Sequence, residues 1–308
     1  MNYRLSSMET EGYTLARYTW ESPEPPTAVL LIIHGMAEHC ERYDHFATHL
    51  NDHNIIVYAH DHRGHGRSVP SDSELGHLGK GGFQAMVDDV DNHLLTIKET
   101  HPSLPIFVFA HSMGSFVMTE HLIQKDSTLS GVILSGSCGT PPLKTHFGRV
   151  VARLERLRKG GRGKSRLMDF LVFGDYNNHL ENTRTKKDWI SSVNSVVDDY
   201  ISDPRCGFML DNQFWVEFFD ALYKKSDPTR QARIAKNLKM LLVSGTECPV
   251  GLQTIGVKRL IAELTKAGIR DLKYIFYPKM RHEIINEVVK NTAYEDILEW
   301  IEKLRQND

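Results

Sequence analysis

The chain of 308 residues has few cysteines, little net charge and no long apolar run. Its four cysteines are scattered and form no CxxC pair, so we expect reduced thiols rather than a disulfide framework. The formal net charge of −2 excludes a global electrostatic attraction to nucleic acid or to anionic membranes. The longest apolar runs, such as residues 28–33, are too short to span a bilayer.

Targeting and metal-binding signals are also scarce. Residues 1–9 lack the apolar core of a secretory signal peptide, and we expect a cytoplasmic protein. Histidines are grouped at positions 34/39 and 60/62/65, but their spacing matches no known set of metal ligands. We therefore expect no metal ion.

Strand-like and helical patterns alternate along the chain. Six continuous apolar runs are typical of strands buried on both faces of a parallel sheet. They lie at 28–33, 55–59, 106–110, 132–135, 240–244 and 272–277. Two earlier runs, 3–9 and 13–20, predict an antiparallel hairpin at the sheet edge. Helical patterns between the later runs, the clearest at 83–100, predict a doubly wound α/β sheet.

This alternation stops near Pro141-Pro142 and resumes near Lys239. We therefore expect a core built from residues 1–140 and 229–308, and a helical lid or cap inserted at 141–228. An insertion after a central strand is typical of a lid above the carboxyl-terminal edge of the sheet, where α/β proteins bind ligands.

The first part of the insertion, 144–166, carries nine basic side chains and one acidic side chain, Glu155. Apolar residues recur there at helical spacing: Phe147, Val150, Val151, Leu154 and Leu157. One interpretation is a lid helix that packs these residues inward and exposes a solvated basic face. The alternative is docking of the lid on an anionic lipid or micelle surface. Further along, the aromatic stretch 208–219 is dense enough to line an acyl pocket.

A catalytic motif follows the apolar run at 106–110. Small residues, Ala110 and Gly114, stand two positions before and after Ser112, and a helical pattern begins directly after the serine. Strand, tight turn with a serine, and helix are the context of a nucleophile elbow, which exposes the serine Oγ on a strained turn. We expect Ser112 to be the nucleophile; the alternative is a helix merely capped by serine.

A base and two hydrogen-bond donors are expected around this serine. In this architecture the base follows the last strand, and His282 lies in the loop after 272–277. An oxyanion hole needs two preorganised N–H donors. We expect them from the backbone amides of Met113, next to the nucleophile, and Met36, in the loop after 28–33.

Motifs along almost the entire chain carry a family resemblance. They are His34-Gly35-Met36-Ala37-Glu38-His39, Arg42-Tyr43, residues 61–68, the segment around Ser112, residues 173–177, 185–189 and 203–208, and Arg281-His282-Glu283. Together they resemble the monoglyceride lipase and lysophospholipase branch of the α/β-hydrolase superfamily, which also contains serine aminopeptidase-like proteins. The resemblance implies an α/β-hydrolase fold, with a mostly parallel eight-stranded sheet flanked by helices and a helical lid. It also implies cofactor-free hydrolysis of carboxylic esters of single-chain lipids. Separately, the basic segment of the insertion leaves lid contact with a membrane or micelle as an alternative, and the net charge indicates no nucleic-acid partner.

The resemblance places an aspartate where this chain has Cys248. A neutral thiol cannot anchor an imidazole as a carboxylate does. Glu247 is the neighbouring carboxylate and our candidate acid; the alternatives are a naturally impaired enzyme or a change introduced at position 248. Two other functions remain open: an impaired member that binds a hydrophobic ligand, and a peptidase whose substrate amine is bound by lid acids such as Asp198, Asp199 and Asp203.

Overall fold

The structure, a computed structural model, describes residues 2–125, 128–139 and 142–306. The predicted boundary between core and insertion at 140/141 lies outside these residues. An eight-stranded sheet has the strand order β1-β2-β4-β3-β5-β6-β7-β8. Its strands are β1 (Arg4–Thr10), β2 (Tyr13–Trp20), β3 (Ala28–Ile33), β4 (Ile55–His60), β5 (Ile106–His111), β6 (Gly131–Ser135), β7 (Lys239–Gly245) and β8 (Asp271–Tyr277).

The helices flank this sheet and fill the long connection between β6 and β7. They are α1 (Asp44–Asn51), α2 (Gly82–Thr100), α3 (Met113–Gln124), α4 (Pro142–Lys159), α5 (Arg166–Phe173), α6 (Asn194–Ser202), α7 (Asn212–Lys225), α8 (Pro228–Gln231), α9 (Ile255–Lys266) and α10 (Lys290–Arg305). None of the helices in the described part of the chain has the length and apolar character needed to cross a bilayer.

The sheet confirms the predicted fold class. β1 and β2 form an antiparallel hairpin at one edge, β2 is antiparallel to β4, and the other neighbouring strands are parallel. Every residue of β3, β4, β5 and β6 is buried, as the continuous apolar runs predict. One core cluster joins the sheet to α2, α3, α7 and α9, and a second joins its other face to α1 and α10.

The prediction that helix α4 packs its apolar residues inward is wrong. Of the five residues, Val151 alone packs against the core. The other four are exposed, Leu157 to 83%: Phe147, Val150, Leu154 and Leu157. The reason is that α4 contacts α7 through small residues: a Cβ on Gly148 would lie 2.4 Å from the ring of Phe219. The close approach buries this face and leaves the apolar stripe facing solvent.

Candidate active site

Ser112 sits on a strained turn between β5 and α3. Its backbone has φ 52° and ψ −119°, a conformation that costs of order 1–3 kcal/mol in a non-glycine residue. The turn needs glycine at position 114, because a Cβ there would lie 2.3 Å from the carbonyl oxygen of Ile33. The predicted strand, turn and helix are therefore present, and they present the serine at the carboxyl-terminal edge of the sheet.

His282 lies beside this serine. Its Nε2 is 2.9 Å from the Oγ of Ser112, and its ring packs against the rings of His111 and Trp189 at centroid distances of 4.6 and 5.2 Å. The loop that carries it is tied to the insertion, because the amide of Glu283 donates to the carbonyl of Ile190 at 2.8 Å. The two side chains predicted to be nucleophile and base thus form a hydrogen-bonded pair.

The other ring nitrogen of His282 faces a thiol. Cys248 Sγ lies 3.2 Å from Nδ1, and burial raises the pKa of this thiol to about 12, so the group is neutral at neutral pH. Burial, with smaller effects from His111 and Arg42, holds the pKa of His282 well below its usual value. No carboxylate in the described part of the chain hydrogen-bonds to this histidine.

Glu247, the acid proposed from the sequence, is not brought to His282. Among the described residues its carboxylate has no hydrogen bond to the histidine; its backbone amide donates to Met280 O, and its carbonyl accepts from His179 Nε2 at 2.7 Å. Cys248 occupies the corresponding position instead. Adjacent residues on this tight turn point in different directions, so the extra methylene of glutamate does not substitute for the missing side chain.

The surroundings of Cys248 contain donors that suit an anion. The amide of Gly251 donates to Sγ at 3.4 Å, and the Val250 amide and Ser244 hydroxyl also favour the charged form of the thiol. Burial raises the pKa of the cysteine by more than these donors lower it. Donors of this kind stabilise a carboxylate, whose charge spreads over two strongly accepting oxygens.

Met36 and Met113 line the same cavity as Ser112. Neither backbone amide donates to a protein acceptor among the described residues. Met113 is the first residue of α3, where the N–H has no intrahelical partner. The two loops approach closely, because a Cβ on Gly35 would lie 3.1 Å from the Cβ of Ser112. Both amides are thus available to an oxyanion.

A buried ion network joins the segment that carries Met36 to the loop of His282. Glu38 accepts from the Gly35 amide at 2.5 Å and from Arg42 at 2.7 Å, and Arg42 donates both arms to Glu283 at 2.6 Å. Burial alone would raise the pKa of Glu283, but Arg42 holds it below its usual value. Sequence reasoning gave these residues no role, although two acids and an arginine in the segments that carry the predicted site residues are the signal of such a network.

A cavity of about 400 Å³ opens onto Ser112. Its apolar wall comes from α3, the insertion and the segment before α7: Phe116, Met168, Phe208, Phe218, Phe219 and Leu222. Part of the predicted aromatic stretch therefore lines the cavity, whereas Phe214 and Trp215 belong to the core. The acids proposed for a peptidase lie elsewhere: Asp198 pairs with Arg184, and Asp203 accepts from His39 Nε2 at 2.9 Å.

Two groups in the described part of the chain bring possible metal ligands within 4.8 Å of one another: His34, Cys40 and Asp61, and His39, Asp203 and Cys206. In each group, at least one of these atoms already takes part in a protein hydrogen bond. Asp61 accepts from the Cys40 amide at 2.8 Å, and His39 binds Asp203. These contacts give both groups a structural role.

The chain is similar to known hydrolases in sequence and in structure. The family described as Hydrolase_4, serine aminopeptidase S33, matches residues 24–289. Over 122 residues the chain is 37% identical to a mouse monoglyceride lipase, an alignment that covers 40% of this chain and 38% of that protein. A monoacylglycerol lipase of Mycolicibacterium smegmatis is 27% identical over 94% of this chain and 93% of its own. A thermostable carboxyl esterase from Bacillus coagulans, solved with glycerol, superposes with a TM-score of 0.91 at 25% identity, over 99% of both chains.

Proposed function

We propose that this chain, which belongs to the Hydrolase_4 (serine aminopeptidase S33) family, is a carboxylic ester hydrolase acting on monoacylglycerol-type lipids. The observation that carries the proposal is the 2.9 Å contact of His282 Nε2 with Ser112 Oγ on a strained elbow facing an apolar cavity. Relatives named monoglyceride lipase and monoacylglycerol lipase support the substrate class.

The reaction proceeds through an acyl-enzyme. Ser112 Oγ attacks the ester carbonyl carbon while its proton moves to His282 Nε2, and the oxyanion accepts hydrogen bonds from the amides of Met36 and Met113. The intermediate collapses, the C–O bond to the alcohol breaks, and His282 returns its proton to the leaving alkoxide. Water, deprotonated by His282, then attacks the acyl carbon and releases the fatty acid and Ser112.

Cys248, rather than Glu247, holds the third position of the site. The Nδ1–H of His282 donates to the thiol sulfur, a weak acceptor, which leaves Nε2 free to take the serine proton. The neutral thiol supplies no charge to stabilise the imidazolium that forms in the transition state. We therefore expect hydrolysis at a rate below that of a site with a carboxylate here.

Replacement of the nucleophile tests the activity. Ser112→Ala abolishes turnover of short p-nitrophenyl esters, because no other nucleophilic side chain among the described residues hydrogen-bonds to His282 Nε2. Circular dichroism verifies that the variant folds. Turnover in the folded variant equal to that of the unchanged protein would exclude Ser112 as the nucleophile.

The neutral thiol favours one second candidate function, the binding of a hydrophobic ligand with little turnover. A fluorophosphonate probe separates the two, because it labels only a serine that is activated. Labelling of the unchanged protein, lost in Ser112→Ala, supports the hydrolase; an unlabelled but folded protein that binds a fatty acid supports the ligand-binding function.

The lid interpretation of the insertion is part of the proposal. Helices α4 and α5 each expose apolar side chains beside basic residues, and both also line the cavity. The exposed apolar residues are Phe147, Val150, Leu154, Leu157, Leu167, Phe170 and Leu171. An exposed apolar stripe flanked by basic side chains is suited to the headgroup region of an anionic lipid surface. The insertion then places the mouth of the cavity against the phase that holds the substrate.

A further inference from the structure

Lys187 lines the cavity, and its ammonium group has neither a hydrogen-bond acceptor nor an ion-pair partner among the described residues. Its Nζ lies 5.3 Å from the ring centroid of Phe173 and 5.9 Å from that of Tyr200. Burial lowers the pKa of this lysine, an effect that Asp169 opposes from beyond ion-pair distance. A partly desolvated cation that faces an open cavity is a site for an anion.

Lys187 lies on the side of the cavity where the alcohol portion of a substrate is expected to bind. On one side, Phe173 stacks on Trp189 at 6.0 Å, and Trp189 packs against His282, which protonates the leaving alcohol. On the other side, the Tyr200 hydroxyl donates to the carbonyl of Ala37, next to Met36 of the oxyanion loop. The lysine therefore lies next to the residues that surround the leaving group, and it is absent from the cluster formed by Phe116, Phe218 and Phe219 on the apolar wall.

A second lysine precedes Lys187 in the chain. The neighbouring Lys186 is exposed and does not line the cavity. Two consecutive lysines are thus separated by the fold into one that faces the cavity and one that faces solvent.

We infer that Lys187 binds an anionic group on the alcohol portion of the substrate, so that the chain prefers monoacyl esters bearing a phosphate on the glycerol to neutral monoacylglycerols. The inference rests on the proposed function for the identity of the scissile ester. The head-group preference is nevertheless a separate property from ester hydrolysis, and a single side chain, Lys187, is expected to determine it.

Binding measurements test the preference without turnover. The probes are two ether lipids that cannot be hydrolysed, 1-octylglycerol and 1-octylglycerol 3-phosphate, titrated below their micelle concentrations by calorimetry. The unchanged protein binds the phosphate probe more tightly, and Lys187→Met lowers the ratio of the two affinities about 10- to 100-fold, as expected for loss of a charge-assisted hydrogen bond. Lys187→Arg retains most of the ratio, and the matched control Lys186→Met leaves it unchanged.

The outcomes separate this inference from the proposed function. Equal affinity ratios for Lys187→Met and Lys186→Met overturn the assignment of Lys187. The same ratio measured as kcat/KM on the two corresponding octanoyl esters falls in parallel when both proposals hold. If only Lys187→Met loses the binding preference, the anion site is supported. If Ser112→Ala leaves ester turnover unchanged, the catalytic proposal is refuted, whatever the result for Lys187.

Discussion

Cys248→Asp is expected to increase the activity of this protein. The sulfur lies 3.2 Å from His282 Nδ1, and the amides of Val250 and Gly251 and the hydroxyl of Ser244 surround it. A carboxylate in this place accepts the Nδ1–H and keeps its other lone pairs hydrogen-bonded by those donors. It supplies the negative charge that a thiol with a pKa of about 12 lacks.

The size of the gain follows from what the charge does in the transition state. Replacing a triad aspartate by a neutral isostere lowers kcat about 10⁴-fold, which corresponds to about 5 kcal/mol. Part of that loss comes from an incorrect tautomer, and Cys248 already permits the productive one. We therefore expect kcat to rise by about 10²- to 10⁴-fold, or about 3–5 kcal/mol.

The assay is hydrolysis of a monoacylglycerol series, with the site concentration determined by fluorophosphonate titration. Cys248→Asn provides the shape of aspartate without its charge, and we expect little gain from it. Glu247→Gln is expected to be silent, because Glu247 does not hydrogen-bond to His282. A folded Cys248→Asp protein whose kcat rises less than threefold would refute the electrostatic reasoning, and a large loss in Glu247→Gln would show that Glu247 serves as the acid.

Four further outcomes are expected. The acidic limb of kcat/KM lies below the usual histidine pKa of about 6.5, because burial lowers the pKa of His282 and keeps the base neutral to lower pH; Cys248→Asp moves the limb upward in a pH–rate profile. Arg42→Met leaves two buried carboxylates without their cation, and urea unfolding should show a loss of about 3–5 kcal/mol. The free energy of unfolding falls as pH drops below about 6.5, because burial depresses the pKa of His60 and His93, so the unfolded chain binds more protons; urea titration across pH measures this. Leu157→Ser weakens sedimentation with anionic vesicles about tenfold, because a leucine side chain contributes about 1.5–3 kcal/mol when it leaves water.

Most of the sheet could be predicted from sequence because its strands are buried on both faces. Continuous apolar runs of this kind are hard to mistake, and β3 spans the predicted residues, whereas β5 extends one residue further, to His111. The orientation of α4 could not be predicted in the same way. Periodicity shows that a helix has an apolar stripe, but it does not show which side faces the protein, and here Gly148 and Ala152 allow a close approach that overrides the stripe.

The pairing of Ser112 with His282 could be predicted because each residue follows a recognisable strand in a fixed chain order. The choice between Glu247 and Cys248 could not, because adjacent side chains on a tight turn differ in direction and composition carries no such information. The position of Lys187 could not be predicted either. A pair of consecutive lysines predicts two solvated side chains, and only the structure shows that one of them lines the cavity.

We expect the effect of Cys248 on catalysis to be electrostatic rather than geometric. The imidazole of His282 is positioned by groups other than Cys248: the rings of His111 and Trp189 pack against it, and a Cβ on Gly136 would lie 2.8 Å from its Cε1. The same loop is anchored by the Glu283 amide and carboxylate. A base held this firmly keeps its hydrogen bond to Ser112 without a carboxylate behind it. A single substitution that restores the charge should therefore restore the rate, with no second change needed to reposition the ring.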